Sequence, residues 1–214
     1  MTINLMARNT TAPARGTGHG TGHGRGSGPD TGRRRRLLTV PGVVGIGYSL
    51  SWIAGLAVPA PSPRFGASGA EVVAALAGHG PAAGDVTDVV FSHHHPDHTV
   101  NAALFPEARI HDHWATYVGD RWIDRDADGL ELAPSVRLLR TPGHTAEDIS
   151  TVASTAGDLV VCTHAWWAAF GPPEDPLGAD AGQLHASRAA LLRFATLIVP
   201  GHGAPFRPDQ DTPR

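Results

Sequence analysis

Ser92-His93-His94-His95-Pro96-Asp97-His98 packs four imidazoles and one carboxylate into seven residues. Before it, Val86-Thr87-Asp88-Val89-Val90-Phe91 is rich in β-branched and apolar residues, the composition of a buried strand. After it, Thr99 to Phe105 reads as the start of a short helix. The ligand-type side chains therefore fall on a strand-to-helix turn, where a rigid scaffold can present them. Read as His-x-His-x-Asp-His, the spacing selects His93, His95, Asp97 and His98. His94 falls at the odd position and is expected to point elsewhere. Imidazoles with a carboxylate suit a borderline-soft divalent cation such as zinc. A His-rich turn of arbitrary spacing is more often an exposed polar turn. Two further turns reverse that balance by supplying more histidines: Thr141-Pro142-Gly143-His144-Thr145 and Val199-Pro200-Gly201-His202-Gly203.

On these three motifs the chain resembles the metallo-β-lactamase fold superfamily. The run from Ser187-Arg188 to Ala204-Pro205-Phe206 adds to the likeness, which covers residues 70–208. The resemblance implies an α/β fold, a four-layer αββα sandwich with metals at one edge. It implies a first metal position at His93, His95 and His144, and a second at Asp97, His98 and His202. Members bridge the two with an aspartate at the end of a strand after the Thr-Pro-Gly-His turn. Asp158 precedes the strand expected at 159–162, which puts it roughly 17 Å away, at the wrong end. His164 lies just past that strand's end, and we assign the ligand position to it; the alternative is a hydrogen-bonding or plain loop residue. A neutral imidazole has one free lone pair and normally binds one metal. The expected consequence is a weaker or lopsided second position, or a single-metal protein.

The chemistry that follows is hydrolysis. Three histidines with an open position let zinc lower the pKa of a bound water to roughly 7, which makes a metal-bound hydroxide available at neutral pH. Asp97 is the expected catalytic residue, orienting the nucleophile or handling the leaving group's proton. Trp166 and Trp167 are candidate walls of a substrate pocket, with core packing the equal alternative. His111, Asp112 and His113 form another polar cluster, read as supporting or surface residues. The expected cofactor is zinc, one or two ions per chain, with iron or manganese as alternatives. The resemblance implies phosphodiester cleavage in RNA. The alternatives are a thioester hydrolase of glyoxalase II type and a metal-binding protein without catalysis. A small-molecule or RNA substrate, no obligate protein partner and a cytoplasmic location complete the expectation.

At 214 residues the chain suits one domain with a tail, and its net charge of −3 demands no nucleic-acid partner. The single cysteine, Cys162, excludes an intrachain disulfide framework and a four-cysteine zinc site. Residues 1–36 are Gly- and Arg-rich and are expected to be disordered; they include His19 and His23, which could bind metal weakly. Residues 37–69 form an atypical apolar and Pro-rich segment, and Leu37 to Ala60 carries no charge. A membrane tether through 37–60 is one reading. The four glycines, two prolines and two serines in that run favour strand and turn material instead. The metal-binding domain is expected at 70–208 and a short tail at 209–214. Within the domain, residues 70–77 suit a helix and Ala108–His111 a second strand parallel to the first. Tyr117 to Leu132 reads as a solvated loop. Further strands are expected at 136–139, 149–152, 159–162 and 196–199, with a helix at 183–194.

Overall fold

The computed structural model describes residues 3–7 and 43–46 as backbone, and residues 68–214 in full. Two sheets lie at its centre. The first has the order β2-β1-β3-β4-β5-β6, formed by β1 (Ile3–Ala7), β2 (Val43–Ile46), β3 (Val86–Phe91), β4 (Arg109–His111), β5 (Ala115–Val118) and β6 (Arg121–Asp124). The second has the order β11-β10-β9-β8-β7, formed by β7 (Glu131–Ala133), β8 (Val136–Arg140), β9 (Ile149–Ser154), β10 (Leu159–Cys162) and β11 (Leu197–Val199). Helix α1 (Gly69–Gly78) covers one sheet and α2 (Ala181–Leu191) the other.

Side-chain alternation along the strands builds the layers. Val89 and Phe91 of β3 pack with Val72 and Leu76 of α1, whereas Val90 between them turns inward to Leu138 and Ile149 of the second sheet. Val152 of β9 faces the other way, toward Leu184 and Leu191 of α2. The result is the expected αββα sandwich. Helix α1 starts at a capping box: Glu71 N–H donates to Ser68 Oγ at 3.3 Å, and Ser68 N–H donates to Glu71 Oε2 at 2.6 Å.

The two parallel pairs position the site. β3 runs parallel to β4, and β10 parallel to β11 with Cys162 opposite Val199. The chain leaves β3, β10 and β11 at their carboxyl ends, and the histidine-bearing turns follow at once. Ile149 N–H donates to Ser92 O at 2.8 Å, joining the sheets beside those turns.

Three expectations are corrected. The helix expected from Thr99 is two short turns, Pro96–Thr99 and Ala102–Leu104. The loop expected at 117–132 holds the antiparallel hairpin β5–β6, turning at Gly119 with φ of 61°, and at its end the start of β7. Within the tail expected to be disordered, Ile3–Ala7 is a strand paired antiparallel with both β2 and β3. Val43–Ile46 is likewise strand. The rest of residues 1–67, including His19, His23 and most of the candidate tether, lies outside the described residues. Among the described residues no helix is long and apolar enough to cross a membrane.

Candidate metal centre

Six of the seven expected ligands are imidazoles, and the fold draws all seven to one edge of the sandwich. His93, His95, Asp97 and His98 come from the turn after β3, His144 from the turn after β8, His164 from the end of β10 and His202 from the end of β11. Their donor atoms fall into two clumps. In the first, His95 Nδ1 lies 3.0 Å from His93 Nε2 and 3.1 Å from His144 Nε2. In the second, His164 Nε2 lies 2.9 Å from His202 Nε2, and Asp97 Oδ2 lies 3.3 Å from His98 Nε2 and 4.0 Å from His202 Nε2. Donors on a zinc tetrahedron of roughly 2.0–2.1 Å radius stand roughly 3.4 Å apart, close to these spacings.

Two glycines make the geometry possible. A Cβ on Gly201 would stand 2.3 Å from His164 Cδ2, so only glycine lets the imidazole occupy its place. Gly143 has φ of 150°, and a Cβ there would meet Leu184 Cα at 2.4 Å. Beneath the ligands runs a buried hydroxyl chain. Thr141 Oγ1 and Ser150 Oγ are 2.7 Å apart, and Ser150 Oγ donates to Thr163 Oγ1 at 2.7 Å. It ties together the carboxyl end of β8, the start of β9 and the end of β10.

Burial and mutual crowding lower the pKa of His93, His98, His144, His164 and His202. Burial, helped by His144 and His95, pushes His93 down to about 2. Burial brings His202 down to about 4 and lowers His144. It drives His98 and His164 far below the ordinary histidine value, with neighbouring imidazoles adding to the effect. Neutral imidazoles keep a lone pair, which is what a cation needs. His164 Nδ1 is buried without a hydrogen-bond partner. Among the described residues two groups could hold a metal ion: His93, His144 and His164, and His98, His164 and His202. The donor set fits a divalent cation.

The supporting shell holds residues that the sequence did not single out. His144 Nδ1 lies 2.8 Å from Asp175 Oδ2, which also accepts from Trp167 Nε1 at 3.0 Å. His93 Nδ1 lies 3.1 Å from Ser92 Oγ and 3.5 Å from Asp148 Oδ1. Asp148 is pushed up to about 7 by burial, against hydrogen bonds from Thr145. Carboxylates on the far nitrogen of a ligating histidine are the usual means of fixing its ring. Neither Asp175 nor Asp148 stands at a telling spacing; only the fold brings them there.

Other expected residues separate. Trp167 and Leu177 join His95, Pro96, Asp97, His98, His144, His164 and His202 around a cavity of about 280 Å³. Trp166 is a correction as a substrate-binding residue. It is fully buried, its indole donates to Pro213 O at 2.7 Å, and it packs against Phe206 under the Arg188 guanidinium. His94 turns away to Asp112 at 3.1 Å. Asp112 also accepts from the Tyr117 hydroxyl and from Trp114 N–H and Ala115 N–H, and so fixes the β4–β5 turn. His111 pairs with Asp88 at 2.8 Å. A larger hollow of about 730 Å³ lies beside Trp114, Trp122 and Arg140, with none of the seven donors in its lining.

Two sheets face to face, helices outside them and a histidine cluster at the strand ends define a class: the chain has the αββα architecture of metallo-β-lactamase fold proteins and resembles them in sequence. In sequence it is similar to metallo-β-lactamase domain-containing protein 1. The Homo sapiens protein is 38% identical over 144 residues, 64% of this chain and 54% of that one. The Xenopus laevis protein is 36% identical over 146 residues, 62% of this chain and 60% of that one. The chain thus spans a little over half the length of these curated relatives. Among solved structures, a protein described as a probable metal-dependent hydrolase from Staphylococcus aureus matches with a TM-score of 0.51 at 15% identity, over 62% of this chain and 60% of that one. That likeness speaks to the fold. No protein-family model matches the chain.

Proposed function

We propose that the chain is a metal-dependent hydrolase acting on phosphodiesters, with RNA as the substrate to test first. The observation that carries the reading is the pair of donor clumps opening on one small cavity, with Asp97 the carboxylate among them. His93, His95 and His144 would hold one ion, and Asp97, His98, His164 and His202 a second. A bound divalent ion supplies a Lewis acid for the scissile group and brings the pKa of a water toward neutrality. Asp97, partly exposed at the cavity, is placed to orient the attacking group and to receive or return a proton. Asp175 and Asp148 hold His144 and His93 in register. Trp167, tied to Asp175, forms a wall against which a substrate would rest.

Charge favours an anionic substrate. Two divalent ions would bring four positive charges, and among the seven donors only Asp97 offsets one of them. A phosphodiester carries the complementary charge at the scissile atom, and metal ions can bind its oxygens directly.

Zinc-loaded protein should cleave a single-stranded RNA oligonucleotide, and His95→Ala should lose the ion held by His93, His95 and His144 and all of the cleavage. Full metal content with retained cleavage in His95→Ala would refute the assignment. Turnover of a thioester in place of RNA would move the reading to the thioester class. A loaded protein that turns over neither would leave a metal-binding protein without catalysis.

A further inference from the structure

His164 stands where the resemblance calls for a bridging aspartate, and its position raises a question of division. By distance it belongs to both potential metal groups. Its ring stacks on His144 with centroids 4.1 Å apart and meets His93, His98 and His202 edge-on at 4.6, 4.8 and 4.9 Å. It is 1% exposed, wedged against the Cα of Gly201.

Ring centres and donor nitrogens both leave His164 within reach of either group, and the shortest nitrogen contact decides. A carboxylate has two oxygens with several lone pairs and can serve two cations at once. A neutral imidazole has one lone pair to give. The Nε2 of His164 lies with His202 at 2.9 Å, in the same clump as Asp97 and His98. The first clump closes on itself without His164, through the contacts of His95 Nδ1 at 3.0 and 3.1 Å.

We infer that the histidine at 164 splits the centre into two unlike metal positions: a closed one held by Asp97, His98, His164 and His202, and an open one held by His93, His95 and His144. The inference rests on the metal-dependent reading above. Four protein donors satisfy a tetrahedral zinc ion, as in structural sites, whereas three leave a coordination position for water or substrate, as in catalytic sites. With no shared carboxylate, each position keeps its own donors and fills with its own affinity. The open position is then where substrate is met, and the closed position braces the ends of β10 and β11.

The test is a zinc titration of the full chain, stripped of metal and read by competition with a chromophoric chelator. It is repeated with cobalt(II) for its visible spectrum. Wild type should show two classes of one ion each. His164→Phe keeps the ring's volume and removes its donor. It should lose the closed class by more than the roughly 10–100-fold that follows loss of a supporting hydrogen bond. The open class should persist in that variant and disappear on adding His95→Ala. Cobalt in the remaining open position should change its spectrum with inorganic phosphate. His164→Asp should draw the two affinities together. Circular dichroism checks that each variant folds, and should His164→Phe fail to fold, the comparison of wild type with His164→Asp decides. Retention of both classes at wild-type affinity in His164→Phe would overturn the inference, as would parallel loss of both. Two ions of equal affinity in wild type would overturn it while leaving the metal-dependent reading intact. A wild-type protein that takes no ion would overturn both.

Discussion

Asp175 Oδ2 serves two donors at once, His144 Nδ1 and Trp167 Nε1, and so links the metal centre to the cavity wall. Burial alone would raise its pKa; hydrogen bonds from Leu177 N–H, His144 and Trp167 reverse that and hold the carboxyl below its ordinary value. Asp175→Asn keeps the shape and removes the charge. We expect zinc affinity at the open position to fall by roughly 10–100-fold with the fold intact, read by chelator competition and circular dichroism. This residue was not legible in the sequence, because 31 residues separate it from His144 and only a tertiary turn closes the gap. Trp166 and Trp167 teach the same lesson. They are neighbours in sequence, yet one is sealed in the core and the other lines the cavity. After a strand, successive side chains point to opposite sides, and the sequence does not say which side is the pocket.

At the scale of elements, α2 sets the Thr-Pro-Gly-His turn. Asp180 caps the helix by accepting from Gln183 N–H at 2.9 Å. The backbone N–H groups of Asp180 and Ala179 donate to Gly143 O and His144 O, both at 3.0 Å. Asp180→Ala should cost about 1 kcal/mol of stability, a shift of roughly 2–4 °C in Tm measured by thermal unfolding. Zinc affinity should change less than in Asp175→Asn, because the backbone bonds remain. Elements with a buried face were readable. Helix α1, strand β3 and strands β8 to β11 announce themselves through apolar runs and periodicity. The β5–β6 hairpin did not, because all four residues of β6 are exposed and its sequence carries no inward face. Strand β1 lies about 80 residues before its partner β3, beyond any local pattern.

Across the whole molecule, the metal-free protein carries an acid sensitivity. His93, His98, His144, His164 and His202 all have folded-state pKa values below the ordinary 6.5. Below pH 6.5 the unfolded chain binds protons that the folded chain refuses, so stability falls as the pH drops. Asp148, raised to about 7 by burial, acts with the opposite sign between about 4 and 7, as one group against five. Stability of the metal-free protein should therefore rise with pH from about 4, where His202 titrates when folded, and level off above about 7, once the unfolded histidines have lost their protons. Urea midpoints from pH 4.5 to 8 check this; a flat profile below pH 6.5 would contradict the buried neutral histidines.

The seven donors come from both sheets: four from the turn after β3, and His144, His164 and His202 from the opposite half. No stretch of the unfolded chain presents that set together, so an ion would bind the assembled sandwich more tightly than the unfolded chain. Its binding energy is then also folding energy, growing with the logarithm of free metal over the dissociation constant. Metal supply would act as a rheostat on the survival of the fold, and a cell short of the ion would lose the protein itself.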